Sequence, residues 1–120
     1  MEIKRKLNKG VIFGKRENNL HLITKILLAK KLLERGRKKV QTEVKVKNME
    51  GQTRFADVVD DDSRLAYEIE KKPTKKYKAD TEKFYKDMEA LVLIIDLSKM
   101  PKSIHEGIKE LDKWLEELII

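Results

Sequence analysis

The chain has 120 residues, 40% hydrophobic and 41% charged, with a formal net charge of +7 and a pI near 9.5; this apolar content suits one core, so a single domain over residues 1–120 is expected. The absence of cysteine excludes disulfides, thiol catalysis and thiolate-bound zinc, and two histidines are too few for a His-rich metal site. No run is long enough for a membrane span and the first ten residues lack the apolar segment of a signal peptide, so a cytoplasmic location is expected.

Residues 1–16 set Lys4, Arg5, Lys6 and Lys9 around glycines and the short run Val11-Ile12-Phe13, the composition of a basic N-terminal arm. Asn18 or Asn19 can cap a helix running to about Arg35, where Gly36 suits the left-handed terminator. Leu20, Ile23, Leu27 and the Leu32-Leu33 pair form its expected apolar stripe, and His21 and Lys25, four apart, share a face. Residues 40–47 alternate Val40, Thr42, Val44 and Val46 with polar side chains, the period of a half-buried strand. Asn48 to Gly51 supplies a turn. Residues 54–59 and 65–70 are strand-forming runs flanking Asp60-Asp61-Asp62-Ser63, which together read as a β-hairpin.

Tyr77, Thr81, Phe84, Tyr85 and Met88 recur at helical spacing, so a second amphipathic helix is expected over residues 74–89, with Tyr77, Phe84 and Tyr85 assigned to core contacts. Lys75, Lys76, Lys78, Lys83 and Lys86 make its outer face the strongest local basic patch. The unbroken run LVLIIDL, residues 91–97, predicts a central parallel strand covered on both sides and reached by a crossover. Pro101, with Ser103 and Glu106 as a capping box, opens a third helix whose apolar side carries Ile104, Ile108, Leu111, Leu115 and Leu118. His105, in that capping turn, is expected to be structural.

The hairpin carries the acids of chemical interest. Glu68 and Glu70 share one strand face, opposite to Leu65, Tyr67 and Ile69. A connection of two or four residues would set Asp57 opposite Ala66 and so on the side of both glutamates. Three converging carboxylates repel one another and lose hydration, which a cation relieves, and a small oxygen-only ligand set suits Mg²⁺ or Mn²⁺. The alternative is a solvated hairpin with ordinary surface charges. The Asp60–Asp62 run lacks the spacing and distal Glu of a calcium loop, so turn chemistry accounts for it. Arg54 can pair with the acids or meet a phosphate, and the excess of positive charge points to a polyanionic partner, DNA first.

The order αβββαβα, with Asp57 in FADVV and Glu68-Ile69-Glu70 in YEIEK, resembles the PD-(D/E)XK nuclease superfamily. HLITK from His21, TEV at Glu43 and RFADVV at Arg54 look like its archaeal and competence-linked branches, and more loosely like archaeal Holliday junction resolvases. The resemblance implies an α/β restriction-endonuclease-like core, a mixed four-stranded sheet flanked by helices. It implies Asp57 and Glu68 as ligands of a Mg²⁺ or Mn²⁺ ion, with the Ile69 carbonyl and Glu70 completing the set. The catalytic group it implies is Asp57, Glu68 and Glu70, and Glu70 stands where most members carry Lys; Lys72, on the same face if the strand reaches it, is the candidate replacement. The same resemblance suggests Glu43 as an additional acid and His21 and Lys25 as phosphate contacts, beside Arg54, Lys75, Lys76 and Lys78 on the DNA. A nuclease acting on branched or broken DNA follows, as a homodimer if both strands are cut, with the exposed side of LDKWLEELII as the candidate interface. The competing expectations are a binding module on the same scaffold without catalysis, and an assembly protein that recruits a partner through its basic helix.

Overall fold

A computed structural model describes residues 2–4, 19–100 and 108–119. The elements run β1 (Glu2–Lys4), α1 (Asn19–Glu34), β2 (Val40–Lys47), β3 (Thr53–Asp60), β4 (Leu65–Glu70), α2 (Lys75–Lys86), β5 (Leu91–Asp96) and α3 (Ile108–Leu118). The chain is therefore an α/β protein with a mixed sheet, antiparallel from β1 through β4 and parallel between β4 and β5. Among the described residues no helix is long and apolar enough to cross a membrane. The capping box at Ser103 and Glu106, Ile104 and His105 lie outside the described residues, as does most of the basic arm, although Glu2–Lys4 pairs with Lys45–Lys47 as a short edge strand.

Local chemistry explains most boundaries. Gly36, at φ 84°, closes α1 in the left-handed region that glycine enters without penalty. Thr74 caps α2 by accepting the Tyr77 N–H at 3.0 Å. Asn48 Oδ1 accepts the N–H groups of Glu50 and Gln52 across the β2–β3 turn. Asp61–Ser63 form a single 3₁₀ turn after β3, and Arg64 leaves it at φ 50°. Asp60, the last residue of β3, makes no side-chain cap bond to this turn; it is fully buried and takes an ion pair from Arg37 at 2.8 Å.

Two clusters fill the faces of the sheet. On one, Leu28 and Leu32 of α1 and Leu111 and Leu115 of α3 pack on Val58, Tyr67, Ile69 and Ile95. On the other, Phe84, Tyr85 and Met88 lie on Val44, Ala56, Val59 and Ala66. Lys31 joins the first pair of helices by reaching Glu116 at 2.7 Å and Asp112 at 3.0 Å. Two expectations are corrected here. Leu20, Ile23, Leu27 and Leu32 pack in the core as expected, but Leu33 is 55% exposed, and Thr24, Lys25 and Leu28 are buried beside that stripe, because α1 must face both the sheet and α3. The LVLIIDL strand is parallel but stands at the end of the strand order rather than at its centre; α2 returns it next to β4, and its apolar residues are used on the two faces while Leu91 stays 68% exposed. The outer side of α3, the candidate interface, is charged, with Lys109, Lys113, Glu116 and Glu117 exposed while Leu111 and Leu115 face the sheet.

Candidate active site

The acids gather where the sheet changes its facing. Val40 packs with the α1/α3 cluster and Val44 with the α2 cluster, although residues an even number apart on a regular strand share a face. Ala56 and Val58 show the same reversal on β3. Between them Glu43 adopts φ 50°, and the rung that would join Glu43 to Asp57 is missing between Thr42↔Val58 and Val44↔Ala56. The β3–β4 ladder also stops at Val58↔Tyr67. Its register, continued one step, sets Asp57 against Glu68 and not Ala66, because the four-residue connection is Asp61 to Arg64 and not Asp60 to Ser63, with Asp60 still paired to Leu65. A backbone position without ladder partners leaves Asp57 able to use its carboxylate locally.

That carboxylate spans the gap. Asp57 Oδ2 accepts the Ile69 N–H at 2.6 Å, and Oδ1 lies 3.1 Å from His21 Nε2 on α1. Glu68, 3% exposed, is held from the α2 side: Tyr85 donates its hydroxyl to Oε2 at 2.8 Å, and Arg54 Nε stands 3.4 Å from the same oxygen. The Arg54 guanidinium lies over the rings of Tyr77 and Phe84, at 5.6 and 5.3 Å. Burial, and after it the charge of Asp57, push the Glu68 carboxyl up to about 7, against the pull of Tyr85 and Arg54. Burial and the Glu68 charge hold the Tyr85 hydroxyl far above its ordinary range, so it remains a donor.

Asp57, Glu68, Ile69, His21 and Arg54 are thus brought together, and the other candidates are distributed around them. Lys25 is fully buried and its Nζ stands 3.4 Å from Glu43 Oε1, one helical turn from His21; this burial removes it from the groups a phosphate can reach. Glu70 is half-buried, pairs in register with Asp96 at the carboxyl ends of the parallel strands, and raises the Tyr77 hydroxyl after burial and Glu68 have done so. β4 ends at Glu70, so the condition for Lys72 to share its face is not met, and Lys72 is exposed in the bend that follows. Lys75 and Lys76 are exposed on α2 with Lys78 partly so. Tyr85 is the site residue that spacing alone assigns to the core; the signal was a tyrosine at a buried helical position, where the hydroxyl requires a partner that phenylalanine would not.

Among the described residues no three His, Asp or Glu side chains stand close enough together to share an ion. Two carboxylates, however, suffice for an ion that keeps water and takes the rest of its shell from a phosphate. Asp57 and Glu68 fit that requirement chemically, since the charge of one raises the proton affinity of the other and a cation relieves both repulsion and burial. No protein-family model matches the chain, and neither a curated protein nor a solved structure matches it.

Proposed function

We propose that this chain is a metal-dependent nuclease that hydrolyses phosphodiester bonds in DNA, built on the PD-(D/E)XK plan. The observation that carries the proposal is the pair Asp57 and Glu68, on neighbouring strands at a break in the ladder, with the proton affinity of Glu68 raised by its burial and then by the charge of Asp57. A divalent ion bound between the two acids would relieve both their repulsion and the burial of Glu68. Mg²⁺ or Mn²⁺ bound there would polarise the scissile phosphate and lower the pKa of a water. Asp57, fixed by the Ile69 N–H and His21, and Glu68, fixed by Tyr85 and Arg54, would hold the ion. Glu70, at the more open end of β4, would orient or deprotonate the attacking water. Lys75, Lys76 and Lys78 would bind the DNA backbone. Cutting both strands would require a homodimer, because the chain offers one site.

A second reading rests on a specific feature. Both oxygens of Asp57 already have partners in the protein, Ile69 and His21, and Glu70 stands in place of the lysine. A DNA-binding module without catalysis would look the same. The two separate on one experiment: the purified protein is incubated with plasmid, single-stranded and junction DNA in Mg²⁺ or Mn²⁺, and Asp57→Ala is compared. The nuclease reading expects metal-dependent cutting that Asp57→Ala abolishes while DNA binding is kept. Binding without cutting in either metal overturns it in favour of the module.

A further inference from the structure

Tyr85 and Glu68 form a contact that core packing does not demand. Phenylalanine would fill the space of Tyr85, and an aliphatic residue that of Glu68, without burying a hydroxyl and a carboxylate. Instead Tyr85, wholly buried, has its ring set edge-on to Phe84 at 5.1 Å and 78°, which fixes where its hydroxyl can point. That hydroxyl and Arg54 Nε converge on one oxygen, Glu68 Oε2. Arg54 is itself confined by Tyr77 and Phe84.

We propose that Tyr85 is a positioning residue, anchored on α2, that fixes the plane and rotamer of the Glu68 carboxylate and so presents its other oxygen toward Asp57 in a preset orientation. The inference rests on the reading of Glu68 as an acid of the proposed site. Outer partners of this kind orient ligating carboxylates, and their loss weakens metal binding by about 10–100-fold. Arg54 supports the same oxygen in second place, with a longer contact and greater exposure.

The test uses the whole chain, metal-free and with Mn²⁺. Three-bond couplings of Glu68 report its χ1 and χ2 rotamers, and a calorimetric titration with Mn²⁺ reports affinity, for the wild type and Tyr85→Phe. One Glu68 rotamer is expected in the wild type and averaging in the variant, with Mn²⁺ bound about 10–100-fold more weakly. A purely structural role would lower the melting temperature and leave both readouts unchanged, and that result overturns the assignment. Retention of a single Glu68 rotamer in Tyr85→Phe overturns it whatever the metal does. If the wild type binds no Mn²⁺ yet the rotamers behave as expected, the metal reading falls and the positioning role stands. Should Tyr85→Phe not fold, Arg54→Gln carries the same two readouts with Tyr85 kept: a single Glu68 rotamer is the expected result, and averaging while the Tyr85 hydroxyl is still in place overturns the assignment.

Discussion

At the scale of single residues, Glu68 sets the pH behaviour of the metal-free protein. Its carboxyl is raised to about 7 in the folded chain from 4.5, chiefly by burial, so the folded state binds its proton more tightly than the unfolded one. The stability it contributes is therefore complete below about pH 4.5 and is lost as pH rises through about 7, an effect on the order of 3 kcal/mol. Glu116 runs the other way: bonds from Arg35 and Lys31 lower it to about 2, so its contribution is present above its unfolded value and fades only in stronger acid. The two windows do not overlap. Urea unfolding at several pH values between 4.5 and 7 is expected to show falling stability in the metal-free wild type and a flat profile in Glu68→Gln; the same slope in both would remove Glu68 as its source.

At the scale of elements, the break between β2 and β3 depends on α1. Glu43 occupies a left-handed conformation that costs a residue with a Cβ about 1–2 kcal/mol, and it does so beside the buried Lys25 ammonium. Removing one partner of a buried pair takes compensation away from the other. Because Glu43 keeps 15% side-chain exposure, Lys25→Ala is expected to destabilise by about 3 kcal/mol, at the low end for such pairs. The double variant Lys25→Met, Glu43→Gln should recover most of that loss, and denaturant midpoints decide between this and an additive result. Sequence spacing conveys half of this arrangement. The interval of four places His21 and Lys25 on one helix face, but the depth of Lys25 follows from how α1 is rotated against the sheet, the same rotation that leaves Leu33 outside the buried stripe.

For the whole molecule, net charge and its placement govern association. The formal charge of +7 favours a polyanion, and the exposed lysines Lys71, Lys72, Lys75 and Lys76 cluster where β4 leads into α2, just beyond Glu70. On the proposed reading that polyanion is DNA; binding to its phosphates releases counterions, so the affinity is expected to fall steeply with salt. Lys75→Glu with Lys76→Glu should weaken binding to all DNA sequences alike and reduce the slope of log K against log salt by about 2, one for each phosphate that a lysine no longer neutralises. A fluorescence titration at three salt concentrations measures it; an unchanged slope would move the DNA to another face.

The order and type of the elements can be read along the chain, because a strand of period 2 and a helix of period 3.6 declare themselves within a few neighbouring residues: Val40–Lys47, the helix from Thr74 and Gly36 as a stop all depend on local chemistry. The shared face of Glu68 and Glu70 follows from the same alternation, whereas Asp57 and Glu68 as a pair come from the resemblance to a nuclease family. Which of them meets which partner was decided only in three dimensions. The register that sets Asp57 against Glu68, the reversal of facing at Glu43, the Tyr85 hydroxyl on Oε2, the burial of Lys25 and the place of β5 at the end of the sheet each join residues far apart in sequence, and they depend on the packing of whole faces rather than on any local pattern.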